Sequence, residues 1–406
     1  MTEATSATLT PDALAGVLAD APFVRLVATD DGDALAAAGL LARALRATDT
    51  PFQARVDPDP VPDDVDDGVA VAVGVDRGPH AIPGTGRPAS TAAFAVARAL
   101  GVEPDPVVAL AGVVAAGSIP GADGSGDALD AAERAGRVER RPGVALPVSG
   151  GNVDGEETDA PSRAEALAAS TLAVTRYSGD PEAARDALAP LGLPVDPDTD
   201  GRRRFASLVA VDAVDGDDAS ERAASAVERA LRPYATDGPF ETVGGYADVL
   251  DALAREAPGT GIALALASDP DASLRAAALD AWRRHGLAAH RALDAATVGR
   301  YDGCVVARVD ASPAVLPTVA RLVRDFRSPE PVAVALDEGA GRLAASSTGG
   351  GRAADDAATG PIGLGDACRT AAGEVGGDGW GTPARGGIST EDSDITAALA
   401  ALREAI

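Results

Sequence analysis

Lysine is missing from this 406-residue chain: all 35 basic residues are arginine, set against 62 acidic ones for a formal net charge of −27. Cysteine is nearly missing too. Cys304 and Cys368 are the only two, which excludes a disulfide framework and offers no zinc-ligand spacing, so a reducing cytoplasm fits. Histidine is limited to His80, His285 and His290, so little imidazole is on hand for metal chemistry. No run of about 18 uncharged apolar residues occurs, and a membrane span is not expected. The polar, acidic start MTEATSATLTPDAL does not read as a signal peptide.

What is present is Ala, Val, Asp and Gly in excess, with aromatics at only 3%. Together with the acidity, this composition reads as halophilic: a Debye length of ~3 Å at 1 M salt screens such a surface. The charge is then an adaptation to the medium, not a cation-binding device. It does not exclude nucleic acid, because local arginine patches still act. The length predicts two or three domains.

Hydrophobic patterning predicts buried strands at Phe23–Ala28 and Gly68–Val75. Helices are expected at Thr10-Pro11-Asp12 onward, with Thr10 as N-cap, and at Ala34–Leu45, Ser90–Leu100 and Pro106–Ala116. This alternation points to a parallel α/β sheet, whose ligands sit at the carboxyl ends of the strands. Residues 1–148 therefore read as one domain and 149–162, polar and Gly-rich, as a linker or surface loop. Residues 163–297 read as mostly helical: Arg163–Ala173, Pro181–Leu191, Ala219–Leu231, Tyr246–Arg255 and Asp271–Arg284 have helix patterns, Gly261–Ala267 looks strand-like, and Pro194–Arg204 looks like a connector. Residues 298–406 read as a smaller α/β domain, with strands at Cys304–Asp310, Pro331–Leu336 and Arg342–Ser347, helices at Pro313–Phe326 and Ser393–Glu404, and a Gly-rich loop at Gly376–Gly387.

The segment Phe23–Leu45 carries the most chemical information. An apolar strand runs into the acidic turn Asp30, Asp31, Asp33, then into a helix of small residues. Such a turn either caps the helix or supplies carboxylates to a metal. Asp76 closes the second strand in the same way.

The chain resembles the DHH phosphoesterase superfamily, and within it the archaeal RecJ-like exonuclease family. The first matching segment is the strand, H-x-D-x-D-G and helix of that family: aligning on Gly32 puts Asp31 on the second aspartate, Thr29 on the first and Val27 on the histidine. The second is VAVGVDRGPH, where Asp76 is followed by Arg77 and Gly78 instead of two histidines and His80 is out of register. Ser90–Leu100 and the Ala-rich helix after it resemble the next two helices, with Pro120 or Gly121 at another ligand position and Asp123 slightly beyond. Ser170–Arg185 and Gly245–Arg255 resemble later family segments, the second keeping Ala252 and Arg255 of an Asn-Ala-x-x-Arg core with Asp251 in place of the Asn. Gly376–Gly387 resembles the G-G-x-G-G-H loop of the DHH-associated domain, with Thr382 in place of the histidine.

The resemblance implies phosphodiester hydrolysis with two Mn²⁺ or Mg²⁺ ions about 3.5–4 Å apart, held by several carboxylates and imidazoles. This chain offers Asp30, Asp31 and Asp76 as remnants of the catalytic set, with Asp31 and Asp76 as the metal ligands, and lacks the rest. A nucleic-acid contact is expected at Gly376, Gly377, Gly379, Trp380, Gly381, Thr382 and Arg385, through backbone N–H groups, base stacking and a guanidinium. The expected function is that of a catalytically degenerate replication or repair factor on single-stranded DNA, or a partner of GINS and the MCM helicase. The alternatives are an active 5′–3′ exonuclease using Mn or Mg, and a small-nucleotide phosphoesterase.

Overall fold

The computed structural model describes residues 9–60, 68–148, 161–216, 219–348, 363–390 and 394–406. Two compact units emerge: Met1–Ala166, Leu193–Arg203 and Arg229–Arg283 make the first, and Leu167–Gly192, Arg204–Glu228 and Arg284–Ile406 the second. The segment 149–162 lies outside the described residues except for its last two positions.

In the first unit, α1 (Pro11–Asp20) starts as its sequence dictates, with the Thr10 hydroxyl accepting from the Ala13 N–H and Pro11 in the first turn. There follow β1 (Val24–Ala28), α2 (Gly32–Ala47), β2 (Phe52–Val56), β3 (Val69–Gly74) and β4 (Ala81–Pro83). These four strands form one sheet in the order β2-β1-β3-β4, parallel throughout. Leu26, Val27, Ala28, Val71, Ala72 and Val73 are all fully buried, the continuous apolar signature of a sheet covered on both faces.

Helices α3 (Ala89–Ala99), α4 (Pro106–Ala115) and α5 (Gly126–Arg134) come next, then β5 (Val138–Arg140). The α4 segment PVVALAGVVA is apolar all round, and residues 107–114 are buried accordingly; α4 packs on α2, α3 and a helix from later in the chain. That later stretch comes after α6 (Arg163–Ala169), α7 (Pro181–Leu188), α8 (Thr199–Val214), α9 (Arg222–Val227) and β6 (Tyr234–Thr236). It comprises α10 (Val243–Glu256), α11 (Pro258–Leu266) and α12 (Ala272–Asp294), with α10 lying against both α2 and α4. Strands β5 and β6 pair antiparallel.

Four expectations change. Gly261–Ala267 belongs to helix α11, not to a strand: its short apolar run is ambiguous in period, and Pro258 in the first turn starts a helix. Half of the expected connector Pro194–Arg204 is the first turn and more of α8, opened by Asp198, whose carboxylate accepts from the Gly201 N–H at 2.8 Å. The Arg163–Ala173 helix stops at Ala169. Within Gly376–Gly387, most residues are strand and not loop.

The second unit holds a six-stranded sheet built from β7 (Thr297–Tyr301), β8 (Cys304–Arg308), β9 (Val332–Asp337), β10 (Arg342–Ser347), β11 (Asp378–Thr382) and β12 (Arg385–Ser389), in the order β11-β12-β10-β9-β8-β7. Only β8 and β9 are parallel, and the crossover that such a pair requires contains α13 (Leu316–Leu322), flanked by a 3₁₀ turn and a π-turn. Helices α14 (Leu364–Val375) and α15 (Ile395–Ala405) pack together, and their Leu364, Leu399 and Leu402 share a core with Val306, Val334, Leu336 and Ile388. Cys304 and Cys368 are free thiols inside that core, and burial pushes them up to about 11 and about 12, so both are inert packing groups. Among the described residues, no helix is long and apolar enough to cross a membrane.

Candidate functional site

The carboxyl ends of β1 and β3 carry the turn residues singled out by the sequence. Past Ala28 the chain enters Thr29, buried at 1% exposure, whose hydroxyl donates to Asp31 Oδ2 at 2.5 Å. The same hydroxyl is backed by Gly74, where any Cβ would collide with it and where φ is +92°. The other oxygen of Asp31, Oδ1, accepts from the Ala34 N–H at 2.8 Å, so Asp31 is the N-cap of α2. Asp30 is half-buried beside it.

Asp33 is buried, and its two oxygens accept from the N–H groups of Ala89 and Ser90 at 2.6 and 2.9 Å. It thereby ties the first turn of α2 to the start of α3. Burial pushes its carboxyl up to about 7, helped by the neighbouring Asp31 charge and opposed by the bonds from Ser90 and Ala89.

A second helix closes this corner. Gly32 opens α2 where α10 crosses it: a Cβ there would lie 2.8 Å from both the Ala115 Cβ and the Asp251 backbone nitrogen. The Gly32 N–H donates to Asp251 Oδ1 at 3.1 Å, while Arg255 Nη1 donates to Asp251 Oδ2 at 2.7 Å. Arg255 is nearly inaccessible, with 6% of its side chain exposed. Burial works against its charge, but the carboxylates of Asp251, Asp30 and Asp31 outweigh that and hold the guanidinium above the ordinary arginine range. Asp251 and Arg255 on α10, with Asp30 and Asp31 of the β1–α2 turn acting on them electrostatically, therefore make one charge cluster. Sequence spacing shows half of it, since Asp251 and Arg255 stand at i and i+4 on one helix face. That Asp30 and Asp31 share it is a tertiary fact.

Asp76 follows β3 and is exposed. Next to it Arg77, in the register that the resemblance gives to a motif histidine, donates to Asp59 at 2.5 Å. Asp123 accepts from the Ser118 hydroxyl. His285 and His290 are buried, bonded through Nε2 to the Thr318 hydroxyl and the Ser170 carbonyl, as structural histidines would be.

These residues do not fit a two-metal centre. Among the described residues, no group of three or more His, Cys, Asp or Glu side chains is placed to hold a metal ion. Of the carboxylates at hand, both oxygens of Asp31 and both of Asp251 already accept protein hydrogen bonds. A buried guanidinium supplies positive charge to the same acids.

In the second unit, Gly376 ends α14 in the left-handed conformation, φ +75°, and Gly377 leads into β11. The hairpin register pairs Trp380 with Gly387, Gly381 with Gly386 and Thr382 with Arg385. Gly379, Gly381 and Gly386 fall on one face, and α14 lies on it. A Cβ on Gly379 would collide with the Cys368 carbonyl, and one on Gly386 would come 2.5 Å from the Cys368 sulfur. Trp380, Thr382 and Arg385 alternate to the opposite face, all half-buried. Trp380 lies across Gly387, where a Cβ would approach its ring to 2.7 Å. The glycine pattern thus has a packing cause, and the three larger side chains share a surface.

The whole chain is 46% identical over 415 residues to the uncharacterized protein rrnAC1427 of Haloarcula marismortui, covering 100% of this chain and 98% of that one. A family model described as the C-terminal domain of uncharacterized protein rrnAC1427 matches residues 296–404. Among solved structures, CDC45 from Entamoeba histolytica is similar at a TM-score of 0.51 and 9% identity, covering 97% of each chain. An exonuclease RecJ bound to manganese is similar at 0.48 and 14%, covering 100% of this chain and 96% of that one. RecJ of Thermus thermophilus in complex with Mn²⁺ gives 0.49 and 16%, covering 98% of this chain but 55% of that one, so this chain spans about half its length. At these identities the likeness concerns the fold alone, a parallel-sheet α/β part and a C-terminal sheet domain, and of these three structures CDC45 alone reaches a TM-score of 0.5.

Proposed function

This chain belongs to the same family as rrnAC1427 of Haloarcula marismortui, and on that premise we propose that it is a RecJ-like protein without nuclease chemistry that serves DNA replication or repair. Its substrate-binding surfaces contact single-stranded DNA or a GINS and MCM helicase assembly, without cutting either strand. The observation that supports this most is that, among the described residues, no group of three His, Cys, Asp or Glu side chains is placed to hold a metal ion, while both oxygens of Asp31 and of Asp251 accept protein hydrogen bonds. A two-metal hydrolase needs those carboxylates free to offset about four positive charges. Thr29 and Arg77, standing in ligand registers and bonded to Asp31 and Asp59, support the same reading.

The face carrying Trp380, Thr382 and Arg385 is the proposed nucleic-acid contact, flanked by the backbone of Gly376, Gly377, Gly379 and Gly381. An indole stacks on any base, and a guanidinium pairs a phosphate without reading sequence. The test uses the full chain in strong salt, with 5′-tailed single-stranded DNA and Mn²⁺. The expected result is retained binding and no shortening of the strand. Turnover that Asp31→Ala abolishes would establish the exonuclease reading instead. Capture of purified GINS by the full chain separates the assembly role from DNA binding alone.

A further inference from the structure

In a chain of formal charge −27, the β5–β6 ribbon of the first unit is locally basic. We propose that this ribbon is a binding site for single-stranded nucleic acid, gripping its phosphates through Arg140 and Arg232 and stacking a base on Tyr234. The inference rests on the nucleic-acid part of the reading above, adds a surface apart from the β11–β12 hairpin, and is tested separately from it.

Three observations carry it. First, residues 134–141 and 229–236 hold six arginines and a single acid, Glu139. Strand pairing brings the two runs together: Arg140 lies opposite Tyr234, the Arg141 N–H donates to the Pro233 carbonyl, and a further bridge joins Val144 to Leu231. Such a patch acts locally on a polyanion whatever the net charge of the chain. Second, Arg140 and Arg232 are exposed, and among the described residues neither has a carboxylate partner. Arg137 and Arg141 are paired instead, with Asp237 and Glu241, so Arg140 and Arg232 hold the charge left to spare. Arg232 also sits at φ +53°, a costly conformation for a long side chain, with its N–H bonded to the Gly143 carbonyl at 3.2 Å. Third, the Arg140 guanidinium carbon lies 5.7 Å from the centre of the half-buried Tyr234 ring. Ring and guanidinium offer flat surfaces on which a base stacks.

The aromatic group decides the class of partner. Exposed guanidinium pairs with an acidic protein surface are screened in strong salt, and phosphate contacts weaken in the same way. Base stacking does not depend on charge and persists. A ribbon that joins free guanidinium groups to a ring therefore fits a strand with unpaired bases better than an acidic peptide or a duplex, whose bases are already stacked on one another.

Fluorescence anisotropy of the full chain with a labelled oligodeoxythymidine strand, over a range of salt concentrations, tests this. Arg140→Gln combined with Arg232→Gln is expected to melt like the wild type, since both side chains are exposed, and to lower the slope of log affinity against log salt by about 1.4, two phosphates released. Tyr234→Leu is expected to weaken binding roughly tenfold with the slope unchanged. If Tyr234→Leu is poorly folded, the arginine pair carries the test. An unchanged slope in the double arginine variant, with binding weakened by Trp380→Ala, would overturn this proposal and leave the hairpin reading standing. A lowered slope in that variant, with Trp380→Ala binding like the wild type, would do the reverse. Polyglutamate or duplex DNA that displaces the strand as well as unlabelled oligodeoxythymidine would assign the ribbon to an acidic protein or a duplex and overturn the proposal. A wild type that binds no strand would also overturn it, and capture of GINS would then decide the functional reading alone.

Discussion

The strand-end rim of the first unit and the β11–β12 hairpin of the second both combine glycines with polar turn residues, yet they use them in opposite ways. At the rim the side chains that carry chemistry are turned inward and bonded to one another: Asp31 to Thr29, Asp251 to Arg255, Asp33 to the start of α3. In the hairpin the backbone is what is consumed, because α14 presses on Gly379, Gly381 and Gly386, while Trp380, Thr382 and Arg385 stay half-buried on the far face. Glycines of a motif can therefore be explained by packing alone, and the role of the polar side chains has to be judged region by region.

If that contrast holds, rim substitutions act on stability and hairpin-face substitutions act on binding. The largest effect belongs to the rim: Arg255→Met costs about 3–5 kcal/mol as one partner of a buried pair is removed, and chemical denaturation measures it. Next comes the hairpin backbone, where Gly379→Ala forces α14 off the strand and costs about 1–3 kcal/mol, read from the same unfolding curves. Trp380→Ala should leave the melting temperature nearly unchanged and weaken single-stranded DNA binding by about 1–3 kcal/mol, one stacked base. A large stability loss with unchanged DNA affinity would erase the contrast.

A pH dependence tests the rim in a second way. Asp33 has its folded pKa raised to about 7 from 3.8. Between those values the folded state keeps a proton that the unfolded chain has released, so its contribution to stability falls as pH rises through that window and is flat on either side. Asp33→Asn removes this slope. Asp271 and Asp394, whose pKa values are lowered by hydrogen bonds from Leu274 and Thr396, act the other way and lose stability as pH falls through their lowered values. The difference between variant and wild-type melting curves across pH therefore isolates Asp33.

Much of the fold is legible in the sequence because it is written in local signals. Thr10-Pro11 fixes the start of α1, Asp31 caps α2, and the apolar runs of β1 and β3 have a strand's length and a turn at each end. The misread stretches are those where local signals conflict. Gly261–Ala267 has a strand's composition but is decided by Pro258 and by packing on α2. The hairpin has almost no β-formers, and its strand state is imposed by pairing with β10. At the site, Thr29 and Arg77 can be placed at strand ends from the sequence, but the partners that hold them cannot. Asp251 reaches the β1–α2 turn only through the crossing of α10 over Gly32, a contact set by a helix–helix approach that no short window of sequence contains.

The most direct measurement is a calorimetric titration of Mn²⁺ into the full chain in strong salt, run beside Arg255→Met. Carboxylates already committed to protein hydrogen bonds predict no saturable heat for the wild type and a larger signal for the variant, whose Asp251 Oδ2 has lost its guanidinium partner. Saturable Mn²⁺ binding by the wild-type chain would contradict it.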